Sequence, residues 1–450
     1  VKRKANHRLA AGISPGIMEY PYKSRNSFRG IVGMDKLLVT GGYSLEGAVT
    51  ASGAKNSALA LLAAAVLAEG EVILENIPVI KDVLIQLAIL EELGIQTSWI
   101  GKNKLSIKSD NVCVEEVSYN LAKQIRASNL FLGALLAKTG RAVVPLPGGC
   151  NIGARPIDLH IKGLQQLGAD IKLDQGYLIA NGNSLQAAKI YLDFPSVGAT
   201  ENLMMAATSA NGTTVIENAA KEPEIVDLAS FLNTMGAKVR GAGTDVIRVT
   251  GRTNLTNCTY ACIPDRIEAG TLMIAAAITR GRVRVDQVIP IHLQALTSKL
   301  QEAGVKVMVG ETWIEVDARE GALVAVDVKT LPYPGFATDL QSPLLSLLAT
   351  IPGTSTVTEN VFEGRYRMVD ELKRMGAKIK VEGRTAVVQG IERFSAAQVK
   401  GYDLRGAAGL VLAAMAANGQ TEILGANCIY RGYEDVLEKL TSLGAKIEAL

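Results

Sequence analysis

One turn, made six times, constrains this 450-residue chain more than any other feature. A helix-like stretch closes on Leu, Met or Ala, then Gly, then a small or branched residue, and runs into a short strand. The copies are LGI at 93–95, LGA at 167–169, MGA at 235–237, AGV at 303–305, MGA at 375–377 and LGA at 443–445. Their glycines, Gly94, Gly168, Gly236, Gly304, Gly376 and Gly444, are spaced 74, 68, 68, 72 and 68 residues apart. A glycine just past a helix end suits the left-handed backbone that reverses the chain, because it has no Cβ to clash there. A second signature lies upstream: an Ala-rich helix ending near Gly, a strand, then an amide or acidic turn. It reads EGEVILENIP (69–78), NGTTVIENAA (211–220), RGRVRVDQVI (280–289) and PGTSTVTENV (352–361).

The unit is therefore helix, strand, helix, strand, closed by further strand-like stretches, over about 70 residues, longer than ordinary solenoid repeats. Six such units account for the chain from Met34 onward. They predict small α+β modules in an α/β chain, divided three and three between two domains. The first helices are rich in small residues (LALLAAAVLA, LMMAATSA, LMIAAAITR, LVLAAMAA), which lets their axes approach closely in a domain interior. Repeats alone place a single domain cut near residue 240.

Composition excludes several classes. Apolar residues make up 48% and charged residues 20%, which rules out a disordered chain. The longest apolar run, Ala58 to Ala68, lies between Lys55 and Glu69 and is too short to span a bilayer, so a soluble protein is expected. The net charge of +3 comes from the first 33 residues, where seven Lys or Arg face only Glu19. That leader lacks an apolar signal core and reads as an unstructured basic extension. No basic patch with interleaved aromatics supports nucleic-acid binding. Five cysteines, Cys113, Cys150, Cys258, Cys262 and Cys428, give an odd count with one C-x3-C pair, so neither a disulfide framework nor a zinc site is expected. A reducing, cytoplasmic compartment fits. G-x-G-x-x-G, P-loop and G-x-S-x-G motifs are missing, and the chain has only three histidines.

Chemistry should lie where the repeats break. In SGAKNSALALL (52–62), Lys55 stands at a helix start near Asn56, where backbone N–H groups and the helix dipole suit a phosphate. A plain cap with a solvated lysine is the alternative. PLPGGCNIGARPIDLH (145–160) is a Gly/Pro loop centred on Cys150 near Arg155, whose charge lowers a thiol pKa. In TLPYPGFATDLQSPLLSLLA (330–349), Asp339 precedes an apolar helix and is either a cap or a base. Arg126, Arg155, Arg266, Arg365, Arg405 and Arg431 each precede or open a helix. Cations are disfavoured at that end unless an anion offsets them, so the set points to a cleft lined for a polyanion.

SGAKNSAL, LPGGCNIGARPIDLHIKGLQQLGA, PDRIEAGTLMIAAA, FATDLQ and RGYEDVLEKLTSLGA closely resemble the UDP-N-acetylglucosamine enolpyruvyl transferases (1-carboxyvinyltransferases), from about Met34 to Leu450. The resemblance implies a two-domain, inside-out α/β barrel-like fold of six units, three per domain. One domain would span 53–263 and the other would join 34–52 to 264–450, with the active site in the cleft between them. It implies transfer of the enolpyruvyl group of phosphoenolpyruvate to the 3′-hydroxyl of UDP-N-acetylglucosamine, with release of phosphate. Addition then elimination, through a phospholactoyl-type intermediate, would need no metal and no redox cofactor. The step is the first committed one of peptidoglycan precursor synthesis. Neither nucleic acid nor membrane is an implied partner, and a monomer or weak homo-oligomer in the bacterial cytoplasm is expected.

By the same resemblance, Cys150 is the loop cysteine that protonates the phosphoenolpyruvate methylene and is alkylated by epoxide antibiotics. Asp339 is the base near the sugar 3′-hydroxyl. Lys55, Arg155 and Arg431 hold the phosphate of phosphoenolpyruvate, Arg126 and Arg405 surround that substrate, and Asn56 contacts both sugar and intermediate. The sugar-nucleotide positions are Arg155, Pro156, Ile157, Asp158, Leu159 and His160, then Ser196, Val197 and Gly198, with Asp265, Asp339, Val361 and Phe362. Two departures stand out: Cys428-Ile429-Tyr430 replaces the family's His-Ile-Asp before Arg431, and Phe194-Pro195 lies where some relatives carry a lysine. Two other readings remain: a 5-enolpyruvylshikimate-3-phosphate synthase-like transferase, against which Cys150 counts, and a non-catalytic sugar-nucleotide-binding paralogue.

Overall fold

A computed structural model describes residues 35–110, 112–146, 157–252 and 254–450. The basic leader and the loop residues Cys150, Arg155 and Pro156 lie outside the described residues.

All six turn glycines are left-handed, with φ from +90° at Gly304 to +112° at Gly236. The amide after each one reaches back five residues to close the helix: Ile95 donates to the Leu90 carbonyl at 3.0 Å, Ala169 to Leu164 at 3.1 Å and Ala237 to Leu232 at 2.9 Å. Val305 to Leu300 (2.9 Å), Ala377 to Leu372 (3.0 Å) and Ala445 to Leu440 (3.0 Å) repeat the bond. This is the six-to-one closure of a Schellman turn. In the upstream signature Gly70, Gly212 and Gly353 also take positive φ, but in RGRVRVDQVI the left-handed residue is Arg280, at φ 53°. Gly281 serves a different need there, since a Cβ on it would lie 2.1 Å from the Leu45 carbonyl oxygen.

The first unit shows the pattern. The helix Lys55–Ala64 leads through the strand Glu69–Glu75 to the helix Lys81–Glu92 and a hairpin of Gln96–Gly101 and Lys104–Lys108. Glu69–Glu75 pairs antiparallel with Lys104–Lys108, placing Val72 opposite Ile107 and Leu74 opposite Leu105. On its other edge it pairs in parallel with Thr256–Ala261, which arrives from much later in the chain. Alternate residues of Glu69–Glu75 face inward, so Val72 and Leu74 are buried beneath the sheet.

The Ala-rich helices lie inside and the sheets outside. Every residue of Gln341–Leu348 and of Leu404–Met415 is buried. Small residues make this crowding possible. A Cβ on Gly133 would sit 2.4 Å from the Asn202 carbonyl oxygen, and one on Gly409 would sit 2.9 Å from that of Ser342. Ser346 Oγ donates to the Gly409 carbonyl at 2.8 Å between those same helices.

The described residues form two apolar cores. One is built from residues between Ala54 and Cys262, the other from Leu37 to Ala51 together with Ile267 to Ala445. The strand Lys36–Thr40 lies between Gln420–Leu424 and Lys446–Ala449, antiparallel to both. The strand Glu46–Thr50 pairs in parallel with Arg282–Asp286. The chain thus passes between the cores twice. The two passes bond to each other, with the Ala54 amide on the Ile263 carbonyl at 2.7 Å and the Asp265 amide on that of Ser52 at 2.8 Å. Among the described residues, no helix is long and apolar enough to cross a membrane.

Candidate active site

Helix starts meet where the two halves face each other. Lys55 opens the helix Lys55–Ala64, Asp82 lies in the first turn of Lys81–Glu92, and Asp265 caps Arg266–Ile278. Arg405 lies in the first turn of Leu404–Met415, and Asp339 in the 3-10 turn Thr338–Leu340 that leads into Gln341–Leu348. The first four N–H groups of a helix have no partner within it, so these ends favour anions.

Asp82 organises one cluster. Its buried carboxylate takes Lys55 Nζ at 2.8 Å on Oδ2, Arg431 Nε at 2.9 Å on Oδ1 and Arg431 Nη2 at 3.2 Å on Oδ2. Burial alone would raise its pKa, but Lys55 and Arg431 outweigh that and hold it below the usual carboxylate range. Lys55 is therefore not a solvated lysine. Its backbone amide donates at 3.0 Å to Asp265 Oδ2, while Asp265 Oδ1 accepts from the Ile267 and Glu268 amides at 2.7 and 3.0 Å. Asn56, next along, is exposed.

Asp339 organises the second cluster. Arg405 donates to its Oδ2 from Nη2 at 3.0 Å and Nε at 3.3 Å, and Arg365 Nη2 donates to Oδ1. This carboxylate is held by two buried guanidiniums, so it is more than the cap that its place in the sequence also allowed. Each arginine rests on a ring: Arg405 lies 5.0 Å from the Tyr433 centroid and Arg365 5.4 Å from that of Phe362. Glu359 shapes the neighbouring turn by accepting the Val361 and Phe362 amides at 2.8 and 3.0 Å.

The segments 157–160 and 196–198, which the resemblance assigns to a sugar nucleotide, meet at His160. Ile157, Asp158 and Leu159 run into the helix Asp158–Gln166, where buried His160 meets Asn202 Nδ2 through Nδ1 at 2.9 Å. A Cβ on Gly198 would come within 3.2 Å of that ring, so the 157–160 and 196–198 segments are in contact. Burial, then nearby Arg126, lowers the His160 pKa to about 4. Ser196 caps Val197–Ala207 by accepting the Ala199 amide at 3.3 Å. Arg126 opens the 3-10 turn Arg126–Leu130.

Further groups join the halves. Arg266 Nη2 reaches Glu224 Oε1 at 3.2 Å, and the Tyr333 amide donates to Glu222 Oε1 at 3.2 Å. Glu434 Oε1 accepts the Val79 amide and Asn103 Nδ2, both at 2.7 Å. Beside the first pass between the cores, buried Glu268 accepts the Ser52 amide at 2.9 Å and pairs with Lys439. Burial outweighs that lysine and pushes the Glu268 carboxyl up to about 7. Among the described residues, no group of three or more His, Cys, Asp or Glu could hold a metal ion.

The family model described as EPSP synthase (3-phosphoshikimate 1-carboxyvinyltransferase) matches residues 39–440. UDP-N-acetylglucosamine 1-carboxyvinyltransferase 1 of Carboxydothermus hydrogenoformans is 49% identical over 415 residues, which are 92% of this chain and 98% of that protein. The chain belongs to the carboxyvinyltransferase family. UDP-N-acetylglucosamine 1-carboxyvinyltransferase 2 of Geobacillus kaustophilus is 51% identical over 414 residues, 92% of this chain and 96% of that one. The crystal structure of the enolpyruvyl transferase NikO from Streptomyces tendae superposes with a TM-score of 0.83 at 25% identity, covering 92% of this chain and 98% of that chain. EPSP synthase from Acinetobacter baumannii shares the fold, with a TM-score of 0.72 at 18% identity over 92% of this chain and 99% of that one.

Within this carboxyvinyltransferase, sequence reasoning passed over Asp82, Glu359 and the Glu222–Glu224 pair. An acid in the first turn of an outer helix is ordinary dipole chemistry, so nothing in IKDVLIQL marks Asp82. The departure at 428–430 reads differently in three dimensions. Ile429 and Tyr430 are buried in the 3-10 turn Ala426–Arg431, and the Arg431 guanidinium is oriented by Asp82 from the other half. Cys428 is a packed thiol, pushed up to about 12 by burial. Phe194 is exposed.

Proposed function

We propose that this enzyme transfers the enolpyruvyl group of phosphoenolpyruvate to the 3′-hydroxyl of UDP-N-acetylglucosamine, releasing phosphate. One observation carries the reading: relatives bearing that activity in their names match at about half identity over 92% of the chain. We assign the two domains as 53–263 and 34–52 with 264–450, the substrates lying between them.

The two carboxylate clusters supply a chemical route. Lys55, Asp82 and Arg431 together carry one net positive charge, so the cluster still attracts a phosphate while Asp82 keeps both cations in register. Asp339 accepts the proton of the sugar 3′-hydroxyl as its oxygen attacks C2 of phosphoenolpyruvate. Cys150 gives a proton to the methylene carbon, forming the phospholactoyl-type adduct. The Cys150 thiolate then takes a proton back from that methyl group, which expels phosphate and restores the double bond. Arg126, Arg155 and Arg405 balance the carboxylate and phosphate charge, which is strongest where water is excluded. Ile157 to His160 and Ser196 to Gly198 form one contiguous wall, suited to the nucleotide. The reducing bacterial cytoplasm and a monomer or weak homo-oligomer complete the reading.

The test is phosphate release from phosphoenolpyruvate, with UDP-N-acetylglucosamine or shikimate 3-phosphate as acceptor. Release with the sugar nucleotide alone is expected. Release with shikimate 3-phosphate alone overturns the assignment, and sugar-nucleotide binding without release makes the chain a non-catalytic binder. Cys150→Asp should retain activity and escape epoxide alkylation, read by mass spectrometry after exposure. An inactive but folded variant removes the acid role from Cys150.

A further inference from the structure

The helix that carries Lys55 and Asn56 begins without a side-chain cap. Ala54 occupies the cap position and offers no oxygen. A helix start left this way has loose N–H groups and frays easily, yet this one presents two residues that the proposed reaction needs in register. Two carboxylates outside the helix fix it instead. Asp265 takes the Lys55 amide, as described above. The second is Asp227, from the helix Pro223–Thr234, which accepts the Ser57 hydroxyl on Oδ2.

Ser57 is fully buried and follows Asn56 directly. A serine inside a helix ordinarily bonds its own preceding turn. Here the hydroxyl points out of the helix to another element. Asp227 is only 3% exposed and lies beneath the first turn. Its Oδ1 accepts the Tyr260 hydroxyl at 2.6 Å, and its Oδ2 also lies 3.5 Å from the Ile263 amide. Tyr260 lies on the strand Thr256–Ala261 and Ile263 on the second pass between the cores, and Cys262 Sγ contacts the Ala54 carbonyl at 3.6 Å. Burial pushes the Asp227 carboxyl up against the opposing pull of these hydrogen bonds. A buried carboxylate is costly to keep and is tolerated where its partners are satisfied. An apolar residue would fill the same space without fixing a rotation.

We propose that Asp227 is a positioning residue: through Ser57 it sets the first turn of Lys55–Ala64, and so the placement of Lys55 and Asn56 on the substrates. The inference rests on the reading above, in which Lys55 and Asn56 touch substrate. Asp227 itself touches none, and the effect must pass through the serine.

The experiment compares Ser57→Ala, Asp227→Asn and the double variant in the full-length enzyme. KM for phosphoenolpyruvate should rise about tenfold in each single variant, short of the hundredfold that a displacement near 1 Å can cost. The double variant should be no worse than Asp227→Asn, because both remove one link. A merely structural role would lower the active fraction, hence the apparent kcat, and leave KM alone. That result overturns the proposal, as do multiplicative losses in the double variant. Should Asp227→Asn fail to fold, Ser57→Ala decides alone, since it deletes one hydroxyl. An independent readout is the NMR resonance of 13C-methylated Lys55, which should move in the variants without any ligand. A resonance at its wild-type position overturns the proposal. If the wild-type enzyme releases no phosphate, the functional reading fails and the Lys55 resonance still decides the positioning claim.

Discussion

Asp82 and Asp339 are two carboxylates each held by two cations, and they do opposite things with the same chemistry. Arg365 and Arg405, two partners of Asp339, come from the same half of the molecule as Asp339 itself. Asp82 belongs to the other half and draws Arg431 across to meet Lys55. The Arg365 and Arg405 pairs lie within one half, whereas the Arg431 pair with Asp82 exists only when the halves meet. A reacting base needs a fixed environment. A binding site that must admit a substrate and then enclose it is better shared across a gap.

The largest effect that would break this contrast is at Asp339, the proposed base. Asp339→Asn should lower kcat by about 10²–10⁴ while the sugar nucleotide still binds, which calorimetry and single-turnover assays can separate. Near wild-type turnover would remove Asp339 from the chemistry. Asp82→Asn comes next. It removes the buried countercharge that Lys55 and Arg431 share, and breaking such a pair costs about 3–5 kcal/mol. The loss should fall on affinity for phosphoenolpyruvate and on protection of the 79–82 and 431–434 amides from hydrogen exchange. If only kcat falls, Asp82 belongs with the base and the contrast collapses.

Two buried groups, one in each half, should also respond to pH with opposite sign. Glu268 rises from 4.5 to about 7, so between those values the folded protein keeps a proton that the unfolded chain has released. Its contribution is complete at low pH and is lost as pH climbs through that window. His160 falls from 6.5 to about 4, so the unfolded chain holds the extra proton. Its contribution is complete above pH 6.5 and is lost as pH falls toward 4. Denaturant titrations across pH should therefore show Glu268→Gln removing a decline on the alkaline side. His160→Asn should remove a decline on the acid side. Unchanged profiles in both variants would show that neither group titrates with folding. Smallest is Tyr433→Phe, which keeps the ring under Arg405 and loses the 3.0 Å contact with Thr271 Oγ1. A cost of about 1 kcal/mol is expected, and a loss of activity beyond that would tie Tyr433 to the Asp339 cluster.

The turns were legible in the sequence because their cause is local. Gly94 and its five counterparts need only their own φ, and the Ala-rich helices announce close packing by composition. The strand Lys36–Thr40 pairs with residues some four hundred positions away, and no repeat signal marks that. The repeat-only cut near 240 also ignores it, running through a core that continues to Cys262. In the site, Lys55 and Asp339 stood out because they break the repeat, and Arg405 because it is one of six arginines at helix starts. Asp82 did not, since an acid in a first helical turn is common and its importance lies wholly in Arg431, far along the chain. The same holds for Ser57, which reads as an ordinary helix residue until Asp227 is seen beneath it.

The strand Lys36–Thr40, lodged between Gln420–Leu424 and Lys446–Ala449, also sets an order of events during synthesis. The core that ends at Cys262 has all its residues once that position leaves the ribosome. The other core must wait for the final strand, and at 5–20 residues per second the gap is about 10–40 s. Through that interval Leu37 and Val39, fully buried in the finished protein, have no sheet to join. The earliest-made of the described strands is among the last to find its place.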